Sequence, residues 1–145
     1  MHWRHRRGRA ISTHDSACAA EKGNPDAQLD LGYCYHEGIG TERSFETAVR
    51  CYRQAALQGN TRAQFNLGLC FKDGDGVKKN RKRAIHWLSK AARKGRADAQ
   101  YAFAYCLEFG VGINRSKTRA LYWYKKAAAQ NYRDAKIALK KLQQS

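Results

Sequence analysis

The chain has 145 residues, 43% apolar and 28% charged, ordinary values for one folded unit of about 100 to 200 residues, so wholesale disorder and a collagen-like build are excluded. Its longest uninterrupted apolar stretch, Tyr101 to Leu107, falls far short of the roughly 20 residues a bilayer crossing needs, and no integral membrane insertion is expected. Twenty-eight Lys and Arg against twelve Asp and Glu leave +16, a field that draws in polyanions and predicts association, not a reaction.

In chain order, residues 1–11 form a basic arm carrying Arg4, Arg6, Arg7 and Arg9, expected to be disordered. The arm lacks the apolar run of an export signal. Five cysteines, an odd number, show no Cys-x-x-Cys and no zinc spacing. Both features suit a reducing, cytoplasmic setting. His2 and His5 read as a solvated pair, not a metal site. Residues 12–26 read as a partial repeat forming a capping helix. Ser12, His14 and Asp15 stand too close together for a nucleophile relay and look like its start, with Ser12 or Thr13 as the cap.

From residue 27 the chain repeats itself at an offset of 36. Ala27, Ala63, Ala99 and Ala135 open the units, and Gln28, Gln64 and Gln100 follow them. Gly38, Gly74 and Gly110 recur with Gly40, Gly76 and Gly112 two places on. Alanine pairs recur at 55/56, 91/92 and 127/128. The repeats run 27–62, 63–98 and 99–134, and a fixed period of this length signifies stacked supersecondary units.

Each unit reads as helix, glycine loop, helix. In the second unit Phe65, Leu67, Leu69, Cys70 and Phe71 cover broad helical faces before Gly74-Asp75-Gly76 ends the run. A second helix starts near Asn80, and Ala84, Ile85, Leu88, Ala91 and Ala92 form its apolar stripe up to Gly95. The equivalent stops are Gly59 and Asn131, asparagine being the next-best left-handed residue. Twenty-two alanines against three valines favour helix throughout, so the expected fold is all-α with no sheet. Residues 135–145 continue the pattern as a C-terminal capping helix, with Lys136, Lys140 and Lys141 on its wet side.

The columns Ala-x-x-x-Leu-Gly-x-x-Tyr, Gly-x-Gly-Val and Ala-x-x-Trp-Tyr-x-x-Ala-Ala resemble the Sel-one-like repeat, a branch of the tetratricopeptide superfamily. The matching residues are Leu31, Gly32 and Tyr35, then Leu67, Gly68, Phe71, Gly74, Gly76 and Val77, then Trp123 and Tyr124. Cys51, Ala104 and Leu107 depart from the pattern. The resemblance implies a right-handed α-solenoid whose first helices line a concave surface, with a role in protein-protein association as an adaptor or scaffold.

That geometry points three columns of each first helix into the groove: Leu29, Tyr33 and His36; Phe65, Leu69 and Lys72; Tyr101, Tyr105 and Glu108. Spacings of four and three put each trio on one helical face, where the trio either receives a protein or peptide partner or simply extends the core. A second candidate is the ridge Lys78, Lys79, Arg81, Lys82 and Arg83, continued by Lys90, Arg93 and Lys94. Such density suits phosphate contacts of nucleic acid or another anionic surface, or a convex face that keeps the solenoid solvated. Cys34, Cys70 and Cys106 share a column and read as small core residues. Some relatives are described as handling β-lactams, but Ser-x-x-Lys, Ser-Asp-Asn and Lys-Thr-Gly are all missing, as is His-Glu-x-x-His. The sequence therefore predicts no enzyme, no metal and no cofactor.

Overall fold

A computed structural model describes residues 20–145. The basic arm 1–11, Cys18 and the first part of the expected N-terminal partial repeat lie outside the described residues. Among the described residues all regular structure is helical. Three helix pairs, α1 (Pro25–Glu37) with α2 (Phe45–Leu57), α3 (Thr61–Asp73) with α4 (Arg81–Arg93), and α5 (Ala97–Phe109) with α6 (Lys117–Ala129), are followed by α7 (Arg133–Gln143). Each helix packs on the one before and the one after. The fold is an α-solenoid.

Local chemistry sets the helix ends where the 36-residue period puts them. Ser44, Asn80 and Ser116 cap α2, α4 and α6, their side chains accepting from the backbone N–H of Thr47, Arg83 and Arg119. The first helices end in Gly38, Gly74 and Gly110, whose φ values of 73°, 77° and 72° leave their N–H groups bonded to the carbonyls of Cys34, Cys70 and Cys106. Asn131 takes φ 64°, standing in for glycine as its column requires.

The second glycine of the second and third loops has a different duty. A Cβ on Gly76 would come within 2.3 Å of the Phe45 carbonyl oxygen, and one on Gly112 within 2.4 Å of the Arg81 oxygen. The loop of one repeat therefore lies against the start of the second helix of the repeat before, and only a residue without a side chain permits that approach. Gly-x-Gly is thus a helix stop followed by a seam between repeats.

The buried column of glutamines makes a second seam. Gln28, Gln64 and Gln100 are 5%, 1% and 3% exposed. Their Nε2 groups donate to the carbonyls of Ala20, Ala56 and Ala92 at 3.4, 3.1 and 3.2 Å. For Ala56 and Ala92 those carbonyls belong to the last turn of the preceding helix, where they also accept from the N–H groups of Gly59 and Gly95. On the acceptor side, Gln58 donates to Gln28 Oε1 at 2.8 Å and Gln130 to Gln100 Oε1 at 2.9 Å. Lys94 holds that column in the middle unit and sends its Nζ to the Gly59 carbonyl, 2.8 Å away. Gln64 Oε1 is left buried without a partner.

The core fills the space between the helices. Leu67, Leu88, Phe103, Leu107 and Tyr124 are at most 1% exposed, beside the alanines that let the helices approach closely. Cys34, Cys70 and Cys106 are buried, unbridged and packed as small apolar residues, as their column suggests. In α7 Leu142 is buried while Ile137 is 47% exposed, although Ile137 shares the column of buried Leu29. Among the described residues no helix is long and apolar enough to cross a membrane.

Candidate functional site

Three clefts of about 260, 270 and 240 Å³ follow one another along the first helices. The first, between α1 and α3, is lined by Tyr33, His36, Tyr52, Arg62, Leu69 and Asp73. The second, between α3 and α5, is lined by Phe65, Leu69, Lys72, Asp98, Tyr101 and Tyr105. The third, between α5 and α7, is lined by Tyr105, Glu108, Phe109, Tyr124, Asp134 and Lys141. Most positions correspond at steps of 36, so the clefts are one construction made three times.

Eight of the nine groove residues expected from the sequence line these clefts, and Leu29 does not. Leu29 is only 8% exposed and joins the core with Ala48, Val49 and Tyr52. It lacks the length with which Phe65 and Tyr101 reach beyond the core from the same column. The remaining residues are half-buried, apart from Tyr105, which is 41% exposed. Sequence reasoning missed Tyr52 and Tyr124, which reach the groove from the second helices, and Asp134, Ile137 and Lys141 from α7. The signal lay in the repeat itself, since Arg62, Phe65 and Leu69 precede those three α7 positions by 72 residues.

Electrostatics inside the groove differ from those of the whole chain. In the first cleft His36 Nδ1 lies 2.9 Å from Glu37, and at its edge Lys72 lies 3.3 Å from Asp73. Arg96 pairs with Asp98 of the second cleft at 2.8 Å, its guanidinium lying 5.8 Å from the Phe65 ring. In the third, Tyr124 donates its hydroxyl to Glu108 Oε1 at 2.7 Å. Burial, reinforced by that bond and by the Glu108 charge, holds the Tyr124 phenol above its ordinary range. Burial raises Tyr101 as well, with the Asp134 charge adding to it. The row of rings continues through Tyr101 and Tyr132, 5.4 Å apart, and Tyr105 and Phe109, 4.6 Å apart.

The cationic ridge lies elsewhere. Lys78, Lys79, Arg81, Lys82, Arg83, Lys90, Arg93 and Lys94 are all exposed, and none lines a cleft. Part of its charge rests on the protein itself: Arg83 lies 5.8 Å from the Phe71 ring, Lys90 5.6 Å from the Trp87 ring, and Lys94 bonds Gly59. Burial pushes the Cys70 thiol up to about 12 and the Cys106 thiol up to about 11, so both are protonated and unreactive near neutrality. Among the described residues no group of three or more His, Cys, Asp and Glu is placed to hold a metal ion.

Stacked helix pairs with an open aromatic groove define the class: an α-helical repeat solenoid. Comparison with known proteins gives the family. The family model described as Sel1 repeat matches residues 25–60, 61–95 and 97–132, and the chain belongs to that family. These bounds start two residues before the units read from the sequence, the same helix pairs counted from a different point. A Sel1 repeat protein from Oxalobacter formigenes superposes with a TM-score of 0.80 at 36% identity, over 88% of this chain and 96% of that one. A protective antigen of uropathogenic Escherichia coli strains displaying an SLR fold gives 0.82 at 35% identity, over 86% of this chain and 27% of that one. Helicobacter pylori cysteine rich protein B shares the fold at 20% identity, with a TM-score of 0.67, over 86% of this chain and 95% of that one. A mouse protein named DAP3-binding cell death enhancer 1 is 45% identical over 38 residues, which is 26% of this chain and 8% of the mouse protein.

Proposed function

We propose that the protein is a non-catalytic adaptor that holds a protein or peptide partner along the row of clefts. The observation that carries this reading is a triplicated cleft with aromatic side chains left partly exposed, which in a chain with an otherwise well-filled core is surface available for contact. Membership of a repeat family built for association supports it, and the protonated, buried thiols offer no nucleophile. The cationic ridge stands apart from the clefts and suits a solvated face.

A photo-crosslinking side chain at Tyr105 tests the reading against one at Arg83. The groove position captures a discrete partner band, and that band weakens when Tyr33 and Tyr101 become alanine. Capture from Arg83 alone, indifferent to the tyrosines, would falsify the groove as the binding face.

A further inference from the structure

We propose that the clefts take a cationic segment of a partner protein, rich in Arg or Lys and carrying an aromatic or aliphatic anchor. This deepens the adaptor reading and rests on it. Charge is distributed unevenly over the molecule. The chain has 28 Lys and Arg against 12 Asp and Glu. The three clefts reverse that balance: Glu37, Asp73, Asp75, Asp98, Glu108 and Asp134 line them against only Arg62, Lys72 and Lys141. Half of all the carboxylates in the chain thus face the groove, with about a tenth of its cations.

Not all of these carboxylates are committed. Asp73 and Asp98 have cations of their own chain within 4 Å and Glu37 has the His36 ring nitrogen, whereas among the described residues Asp75, Glu108 and Asp134 make no ion pair. Glu108 is held in place by the Tyr124 hydroxyl, and a carboxylate so held keeps acceptor capacity for an incoming guanidinium or ammonium. The apolar partner of this chemistry sits in the same cleft. Tyr105, Phe109 and Ile137 are 41%, 54% and 47% exposed, three of the five large hydrophobic residues left exposed among those described. Aromatic faces beside carboxylates suit a cationic side chain twice over, by ion pairing at the head and by contact with the ring quadrupole. A second copy of this chain is a poor occupant, since each copy brings +16. At physiological ionic strength the Debye length is about 8 Å, so a short cationic segment seated in a cleft responds mainly to the charges that line it.

Fluorescence anisotropy with three labelled twelve-residue peptides tests the proposal on the full chain at physiological salt. The peptides share two tryptophans and differ in carrying four Arg, four Gln or four Glu. The arginine peptide binds at least ten-fold more tightly than the glutamine peptide, and the glutamate peptide is weaker still. The combined variant Asp75→Asn, Glu108→Gln and Asp134→Asn keeps at position 108 an amide carbonyl able to accept from Tyr124. It weakens the arginine peptide at least ten-fold and leaves the glutamine peptide unchanged. Arginine-peptide binding untouched by that variant overturns the proposal. Equal or tighter binding of the other two peptides, lost on Tyr105→Ala, overturns the cationic occupant while upholding the groove. No binding by any of the three also overturns it, leaving the adaptor reading to the crosslinking test. Binding that appears only when Arg4, Arg6, Arg7 and Arg9 are changed to serine assigns the clefts to the chain's own amino-terminal segment and overturns a partner as occupant. A concentration-dependent dimer in sedimentation, dissolved by the carboxylate variant, assigns them to a second copy with the same consequence.

Discussion

The first and third clefts stand two repeats apart, and their comparison separates what the solenoid holds constant from what it leaves open. Tyr33 and Tyr105 stand at equivalent positions, and Tyr52 and Tyr124 reach both clefts from the second helices at 2% and 1% exposure. Around this shared frame the polar residues change. His36 becomes Glu108, Glu37 becomes Phe109, Arg62 becomes Asp134 and Leu69 becomes Lys141. Residues that touch the neighbouring repeat keep their type because stacking depends on them, while cleft-facing positions meet solvent and can change sign without loss of the fold. The middle cleft lacks the buried tyrosine altogether, since Leu88 occupies that column.

The largest expected effect comes from breaking the seam that makes the first cleft. Gly76→Ala would drive a methyl into the Phe45 carbonyl at a φ of +72°, and the loss of stability is expected to be roughly 3 kcal/mol by thermal melting. Gly95→Ala, also at positive φ but with nothing within 4 Å, should lose only about 1 kcal/mol. Equal losses at the two positions would show that backbone conformation, and not the contact between repeats, sets the requirement.

Tyrosine to phenylalanine distinguishes the two clefts directly. Tyr124→Phe removes a hydroxyl that donates to a carboxylate and should cost about 1.5 to 3 kcal/mol in a denaturant titration. Among the described residues the Tyr52 hydroxyl makes no such bond, and Tyr52→Phe should stay within about 0.5 kcal/mol. If the two variants melt together, Glu108 is not held by the phenol in solution.

A stabilising change is expected in the unit between them. Lys94→Gln places in the middle repeat the residue that at 130 donates both to Gly95 and to Gln100 Oε1. It gives Gln64 Oε1 the donor it lacks, for a gain of about 1 kcal/mol. Combining it with Gln64→Leu should abolish that gain.

The smallest effect at neutral pH, and one that appears only in base, concerns Cys70 of the first cleft and Cys106 one repeat on. Both thiols are raised in the folded chain from an ordinary 9, to about 12 and about 11. Between those limits the folded state binds more protons than the unfolded one, so their contribution is fully present below pH 9 and is lost as pH rises through 11 to 12. Alkylation of Cys70 and Cys106 by iodoacetamide at pH 8 should accordingly be slow until denaturant is added. Rapid labelling at Cys70 or Cys106 in the native chain, located by peptide mapping, would contradict their burial.

Much of this architecture was legible in the residues. The 36-residue period set the helix pairs, the glycine stops, the helix start near Asn80 and the left-handed turn at Asn131, because each depends on local backbone chemistry. Eight of the nine residues named from the columns of the first helices line the clefts. Leu29 escaped because a column fixes direction and not reach, and a leucine there ends inside the core. The glutamine column was visible as a recurrence, but the orphaned Gln64 oxygen was not, since it arises from Lys94 thirty residues away.

The sequence by itself determined a stack of like helix pairs, since periodic apolar residues, caps and glycines act over a few residues and repeat their instruction in every unit. Only the tertiary structure decided the sign of the groove. Glu37, Asp75, Glu108 and Asp134 are scattered through a strongly basic chain, and stacking gathers them on one face while the lysines of α4 stay off it. A net charge adds residues without regard to position, whereas an incoming side chain responds to those within about a Debye length of where it lands.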